Sequence, residues 1–334
     1  MRLLNKILLA CALAGSVGWA AQATAADRLP DTKLGGTPPT AQARLDKDKL
    51  CTRCHDESEP TPLLSLYQTK HGARGDARAP NCQSCHGESE KHLKGDPNVK
   101  GRAAPDVVFK KGTYAASDDK VRAGQCLTCH KGTGRTQWEG AQHDANGLAC
   151  NNCHTVHQPA DPVLAKKTQP QVCFACHKDQ RADSHKVSTH PIDAGKVSCS
   201  DCHNPHGSAG PKLLKKNTVT ETCYACHAEK RGPFLWEHQP VTEDCTNCHT
   251  PHGSNISPLL KSRAPFLCQE CHDGPHNSKT PVGGNAAGYQ GGWSRTNASG
   301  ANQYPSTQAT ARGCMNCHAM VHGSNSPAGA FLHR

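Results

Sequence analysis

The chain has 334 residues, a formal net charge of +10, a mean hydropathy of −0.68 and only 4% aromatic residues. Such a composition excludes the side-chain core that a globular protein of this length normally builds. Something other than leucine, isoleucine and phenylalanine must supply the buried apolar surface.

In chain order, residues 1–26 read as an export signal. Arg2 and Lys6 form a basic start, an apolar run extends from Ile7 to about Ala21, and Ala23-Thr24-Ala25 is a small-residue cleavage site. Cys11 leaves with this segment, which leaves 20 of the 21 cysteines. Residues 27–50 are rich in Pro, Thr, Gly and Lys and are expected to form an extended lead-in. No later stretch approaches the roughly 20 apolar residues of a spanning helix, so the processed chain is expected to be soluble or held by another protein.

The remaining cysteines all fall in ten copies of Cys-x-x-Cys-His. The first five are Cys51/Cys54/His55, Cys82/Cys85/His86, Cys126/Cys129/His130, Cys150/Cys153/His154 and Cys173/Cys176/His177. The second five are Cys199/Cys202/His203, Cys223/Cys226/His227, Cys245/Cys248/His249, Cys268/Cys271/His272 and Cys314/Cys317/His318. This is the attachment motif of haem c: two thiols add to the vinyl groups and the following histidine is the proximal iron ligand. A zinc-ribbon array has no need of a histidine at one fixed position. A disulfide scaffold explains an even count but neither the spacing nor the histidine.

Twelve histidines lie outside the motifs, and only three methionines exist. Methionine therefore cannot be the general sixth ligand, and bis-histidine coordination throughout needs ten of the twelve. From the third motif onward two segment types alternate. In one, a lone histidine follows the motif by 11 to 13 residues, as His143, His190 and His238 do. In the other it follows by three, as His157, His206 and His252 do. His185 misses this register, and His333 is penultimate, where chains fray. The expected distal set is then His71, His92, His143, His157, His190, His206, His238, His252, His276 and His322. A histidine three residues beyond the proximal ligand starts on the same face of the macrocycle, so His157, His206 and His252 are expected to serve neighbouring haems. Glycine follows several of these positions (Gly72, Gly207, Gly253, Gly323), both as a turn residue and to let backbone pass close to a porphyrin.

The motifs group as two pentahaem halves, 51–195 and 196–334, the second interrupted by a Gly/Asn-rich loop over 275–313. The expected fold is a multihaem cytochrome c of short helices and irregular coil with little or no strand, drawn out as an elongated haem wire. Each haem brings two propionates, which offset the basic excess, so the charge makes no case for a nucleic-acid partner; many Lys and Arg side chains are expected to pair with those propionates.

Beyond the haem motifs, the residues of Cys199–Ser208 (CSDCHNPHGS), Thr222–Val241 (TCYACHAEKRGPFLWEHQPV), Cys245–Ser254 (CTNCHTPHGS) and the ending Val321-His322-Gly323-Ser324-Asn325 resemble the periplasmic decahaem cytochromes of the MtrA/DmsE type. The resemblance implies ten bis-histidine haems forming a wire and a seat inside an outer-membrane β-barrel porin. It also implies electron exchange between periplasmic or inner-membrane carriers and an outer-face multihaem cytochrome or extracellular iron, without substrate chemistry. Barrels of that size have a polar lumen that could admit a haem-rich rod. A free periplasmic electron shuttle is the alternative, with a multihaem reductase, which needs an iron with an open position, further behind.

Overall fold

The computed structural model describes residues 41–272 and 314–333, apart from residues 74, 75, 77, 99 and 328. The export signal, most of the lead-in, His276 and all of the 275–313 loop lie outside the described residues.

Within them the chain is short helix and coil. The longest helix is Ala41–Thr52, and the next is Asp119–Leu127. Most of the rest are single turns such as Cys82–His86, Cys199–Cys202 and Val219–Tyr224. Pairing of extended backbone is limited to isolated antiparallel bridges such as Ser188 with Ser254 and Trp236 with Ser324.

Residues 41–50 correct the expectation of an extended lead-in. Ala, Gln, Arg, Leu and Lys dominate there, all strong helix formers, whereas the proline, threonine and glycine lie upstream of residue 41. The helix is pinned by two buried side chains. Arg44 donates to the carbonyls of Ala79 at 2.6 Å and Ala73 at 3.2 Å. Asp48 accepts from Tyr67 Oη and from the backbone N–H of Cys82, both at 2.9 Å. The first and second motifs are thus tied together before any cofactor is considered.

Every motif folds as one turn. The carbonyl of the first cysteine accepts the N–H of the histidine at 2.9–3.1 Å in nine motifs, and the tenth, Cys82–His86, is itself a helical turn. Residues i, i+3 and i+4 share a helix face, so each turn presents two thiols and an imidazole on one side. Local caps start several of these turns. The Asn81 side chain accepts from Ser84 N–H at 2.7 Å, and Asp244 from Thr246 N–H at 2.7 Å.

Buried hydrophobic side chains are few: Leu66, Ala79, Ala103, Val107, Ala123, Trp138, Ala149 and Phe174 among the described residues. Half are alanine, while Val187, Leu164, Leu235 and Phe266 stand exposed. Close backbone docking takes the place of a core. The Gly253 turn, at φ +151°, presses on the segment before His190, where a Cβ would stand 1.9 Å from the Asp183 carbonyl oxygen. Gly207 repeats this against the Gln137 carbonyl at 2.2 Å, and Gly323 against the Phe234 ring at 2.3 Å. These contacts hold the turn reading of the glycines, and the close neighbour is polypeptide. Gly253→Ala is therefore expected to destabilise the protein by about 2–4 kcal/mol, through backbone collision as well as strain. Gly124→Ala, in a helix with open space around the Cβ, is expected to be neutral or to stabilise by about 0.5–1 kcal/mol. Thermal melting of the two variants separates the cases.

Candidate metal centres

Each of the ten motif histidines is faced by a second imidazole. Ring centroids lie 6.0 Å apart for His55 and His92, 6.3 Å for His86 and His157, and 5.9 Å for His130 and His71. They lie 6.0 Å apart for His154 and His206, 6.2 Å for His177 and His143, and 6.2 Å for His203 and His252. The series continues with His227 and His190 at 6.3 Å, His249 and His322 at 6.1 Å, and His272 and His238 at 6.2 Å. Two metal–nitrogen bonds of about 2.0 Å each, extended by the depth of each ring, put centroids roughly 6 Å apart. The spacing of these nine pairs fits a six-coordinate iron held between two imidazoles.

The tenth pair is His318 with His333, at 4.5 Å, closer than the other nine, so these rings must move apart by about 1.5 Å to take an iron between them. His333 is the residue that a local argument about fraying sets aside, and its ring is the one that faces the last motif. His185 faces no motif histidine among the described residues; its Nδ1 lies 3.6 Å from Asp193.

The pairing has a rule that is absent from the motif spacing. Odd motifs are faced from the preceding odd segment: His71 to His130, His143 to His177, His190 to His227, His238 to His272. Even motifs are faced from the following even segment: His157 to His86, His206 to His154, His252 to His203, His322 to His249. Each facing residue thus skips one motif along the chain. The first and tenth motifs depart from this rule: His92 faces the first and His333 the tenth.

Hydrogen bonds orient the rings. Nδ1 donates to a backbone carbonyl from His143 (Pro205, 2.8 Å), His190 (Pro251, 2.9 Å) and His238 (Val321, 3.0 Å). The three acceptors immediately precede His206, His252 and His322, so each contact seats both a lone histidine and the next facing one. On the motif side, His203 donates to Lys212 and His249 to Pro258, both at 2.9 Å. The loops that supply these carbonyls close identically, by Asn204 to Leu213 and Thr250 to Leu259 bonds of 2.7 Å. A proton fixed on Nδ1 leaves the Nε2 lone pair for iron. Burial, first, and the facing imidazole hold His206 and His252 below the usual histidine pKa. His86 is lowered mainly by burial, against its bond to Val107, and His322 by burial and Lys230. All four are kept in the neutral, ligating form.

Two proximal histidines hydrogen-bond to carboxylates instead, His154 to Asp161 at 2.7 Å and His55 to Glu59 at 3.0 Å, while His227 Nδ1 lies 3.7 Å from Glu229. A carboxylate on Nδ1 makes the ligand more basic and favours ferric iron. Asp161→Asn is expected to raise one midpoint potential by roughly 30–60 mV, a few-fold in the one-electron equilibrium. Spectroelectrochemical titration reads it.

The cysteines connect the sites. First-cysteine thiols lie close enough for each to act on the other in the pairs Cys51–Cys82, Cys126–Cys150, Cys173–Cys199, Cys223–Cys245 and Cys268–Cys314. Second cysteines lie close enough for charge on one to raise the other in Cys85–Cys129, Cys153–Cys176, Cys202–Cys226 and Cys248–Cys271, with burial the larger cause in each. Alternating first-to-first and second-to-second approaches run through all ten motifs in sequence order, across the 195/196 boundary between the expected halves.

Two of the twenty expected attachment cysteines differ from this pattern. The sequence treats all second cysteines alike, and Cys54 and Cys317 are exposed as Cys129, Cys153, Cys176, Cys226 and Cys271 are, but among the described residues these two have no approach to another motif's thiol. The reason is their place at the ends. The first motif meets its one neighbour through Cys51 and the tenth through Cys314, so the alternation leaves their second cysteines over. What holds Cys54 and Cys317 is the motif turn itself, through N–H bonds to the Cys51 carbonyl at 3.1 Å and the Cys314 carbonyl at 3.2 Å. All twenty thiols are free of disulfides. Among the described residues no three His, Cys, Asp or Glu side chains converge as a metal polyhedron, as zinc ribbons would require.

Turns that offer two thiols and an imidazole, each opposed by a second imidazole, define a multihaem c-type cytochrome: an electron carrier with covalently bound haem c, not an enzyme. Comparison with known proteins agrees. Residues 190–232 and 238–277 match the doubled CXXCH motif family, and residues 82–169 the cytochrome c-type protein NrfB-like family. The chain is 38% identical over 319 residues to the multihaem cytochrome MtrA of Shewanella baltica, covering 91% of this chain and 89% of that one. It is 26% identical over 162 residues to the cytochrome c-type protein NrfB of Haemophilus influenzae, covering 43% of this chain and 70% of that one. This chain belongs to the MtrA family of multihaem cytochromes.

Proposed function

We propose that the chain carries ten bis-histidine haems and conducts electrons between periplasmic or inner-membrane carriers and the cell exterior. It would do so seated in an outer-membrane β-barrel porin and facing an outer-face multihaem cytochrome or extracellular iron. When bound, haem supplies one-electron exchange between ferrous and ferric iron. The observation that carries the reading is geometric: nine motif histidines are faced by a second imidazole at 5.9–6.3 Å, and the cysteines of neighbouring motifs approach one another in succession from Cys51–Cys82 to Cys268–Cys314. No motif is left aside as a separate centre. Cys54 and Cys317, outside that succession, remain the second attachment points of the first and tenth haems, because each lies on its motif's turn.

The proposed distal set is His92, His157, His71, His206, His143, His252, His190, His322, His238 and His333, for the first to the tenth motif in turn. Nine of these coincide with the set expected from the sequence, and His333 replaces His276. Nine motif histidines have a partner at iron-spanning distance and His333 lies beside the tenth, an arrangement that would leave no iron the exchangeable position that a reductase needs. Among the described residues no helix is long and apolar enough to cross a membrane, so a conduit would rest on the porin for its passage.

Intact-mass measurement of the processed protein should add ten haem masses, and its visible spectrum should be low-spin throughout. Purification from native membranes should recover a large outer-membrane β-barrel with it. Ten haems without a co-purifying barrel would favour the free periplasmic shuttle over the conduit.

A further inference from the structure

Two buried donors near the fourth motif lack any partner in the polypeptide. They are Nε of Arg135 and Nε1 of Trp138, the latter on a side chain only 7% exposed. Leaving such groups unpaired is costly, most of all for a cation, so an acceptor from outside the polypeptide is required.

Their position is fixed from several directions. Both belong to the stretch that begins with the turn Thr133–Arg135, and Trp138 N–H donates to the Arg135 carbonyl at 3.1 Å. The Asn204 side-chain amide donates to the Gly134 carbonyl at 2.8 Å. Gly207 packs so closely that a Cβ would stand 2.2 Å from the Gln137 carbonyl oxygen. The Trp138 ring lies 6.3 Å from that of His206, which faces His154. The stretch is therefore clamped onto the loop that presents His206. Arg135 is also near enough to act electrostatically on His206 and on Cys150, and on His130 of the preceding motif.

Haem attached at Cys150 and Cys153 would bring two carboxylates to this place. We propose that Arg135 Nε and Trp138 Nε1 together hold one propionate of that haem, and that the guanidinium sets its reduction potential. A fixed cation favours the reduced form, because reduction removes a positive charge from the iron. Asp161, on the Nδ1 of His154, acts on the same iron with opposite sign. Arg135 and Trp138 are thus positioning residues that tune one site within the series. Haem occupancy of the fourth motif is the only part of the functional reading on which this rests, and the haem mass count checks it separately.

The test uses the holoprotein with R135Q, R135K, W138F and D161N, each carrying ten haem masses and a low-spin spectrum. In spectroelectrochemical titration R135Q should move one of the one-electron steps to lower potential, by at least about threefold in its equilibrium constant. W138F, which keeps the ring but loses the N–H, should move the same step in the same direction by less. R135K should restore most of the shift. D161N should raise that same step, and the double variant R135Q/D161N should return it towards its starting value. If R135Q and W138F leave every step in place, or move a step that D161N does not, the assignment is overturned. Should R135Q lose haem, W138F and a holoprotein crystal structure decide. The structure should show a propionate oxygen within hydrogen-bonding distance of both nitrogens, and water or a backbone carbonyl in its place at both would refute the proposal.

Discussion

Produced where haem attachment cannot occur, the processed chain is expected to stay unfolded, with little helical signal in far-ultraviolet circular dichroism and rapid digestion by protease. Four elements of the structure lead there. The buried hydrophobic set holds four alanines and only Leu66, Val107, Trp138 and Phe174 as larger members, far too little apolar area to offset the ordering of a chain this long. Apart from Ala41–Thr52 and Asp119–Leu127 the helices run to seven residues or fewer, below the length at which an isolated helix persists in water, about 12–15 residues. The close dockings at Gly207, Gly253 and Gly323 are contacts between turns, each with few backbone bonds to hold it. The gaps of about 6 Å between facing rings are lined by imidazoles that burial, first, and the facing ring, second, make costly to protonate, so that His86, His206 and His252 have lowered pKa values. Macrocycles fill those gaps and turn the interlock into a core. A cooperative thermal transition in the haem-free chain would contradict this account. The attached form, by contrast, should resist protease until its haem ligation is lost.

Much of this was legible in the sequence because it is local. Cys-x-x-Cys-His at i, i+3 and i+4 dictates one turn, so all ten motif turns follow from spacing alone. The polar composition between motifs leaves neither an alternating strand pattern nor a continuous apolar stripe, and the structure has neither among the described residues. The register of lone and three-residue histidines singled out His143, His190, His206 and His252, each of which faces a motif histidine. What escaped is topological. That a facing histidine skips one motif depends on which turns dock, and the docking is written in single residues such as Gly253, whose tolerance for backbone contact is not distinguishable in the sequence from ordinary turn chemistry. The separate standing of Cys54 and Cys317 is of the same kind, since it follows from which motifs have two neighbours and not from the spacing within a motif. Averaging over residues 27–50 let the upstream proline and glycine obscure the helix formers from Ala41 onward. The acceptors Pro205, Pro251 and Val321 carried no signal of their own; only their place before a facing histidine could have marked them.

The same topology decides the last site, and it gives the second large effect. His333→Ala is expected to convert one haem in ten to a high-spin form that binds carbon monoxide or cyanide, while His276→Ala leaves all ten low-spin. The reasoning runs from the two ends of the interlock. Every interior even motif is faced by a histidine from the even segment after it, and the tenth motif departs from that rule. His322, which holds the three-residue-type position near that motif, already faces His249 at 6.1 Å. His276 follows the ninth motif, and by the rule for odd segments it would face another odd motif and not the tenth. The terminal strap supplies the missing ring. Residues 329–333 return over the tenth motif, with the Phe331 carbonyl accepting from His318 Nδ1 at 2.6 Å and the Leu332 carbonyl from Met320 N–H at 3.1 Å. Those two bonds place the His333 ring beside His318 whatever becomes of the chain beyond it. Truncation after Leu332 should therefore reproduce the spectrum of His333→Ala, because it removes the imidazole and keeps both carbonyls. High-spin haem in the His276 variant, or an unchanged spectrum in the His333 variant, would return the tenth ligand to the loop and break the skipping rule at its final step.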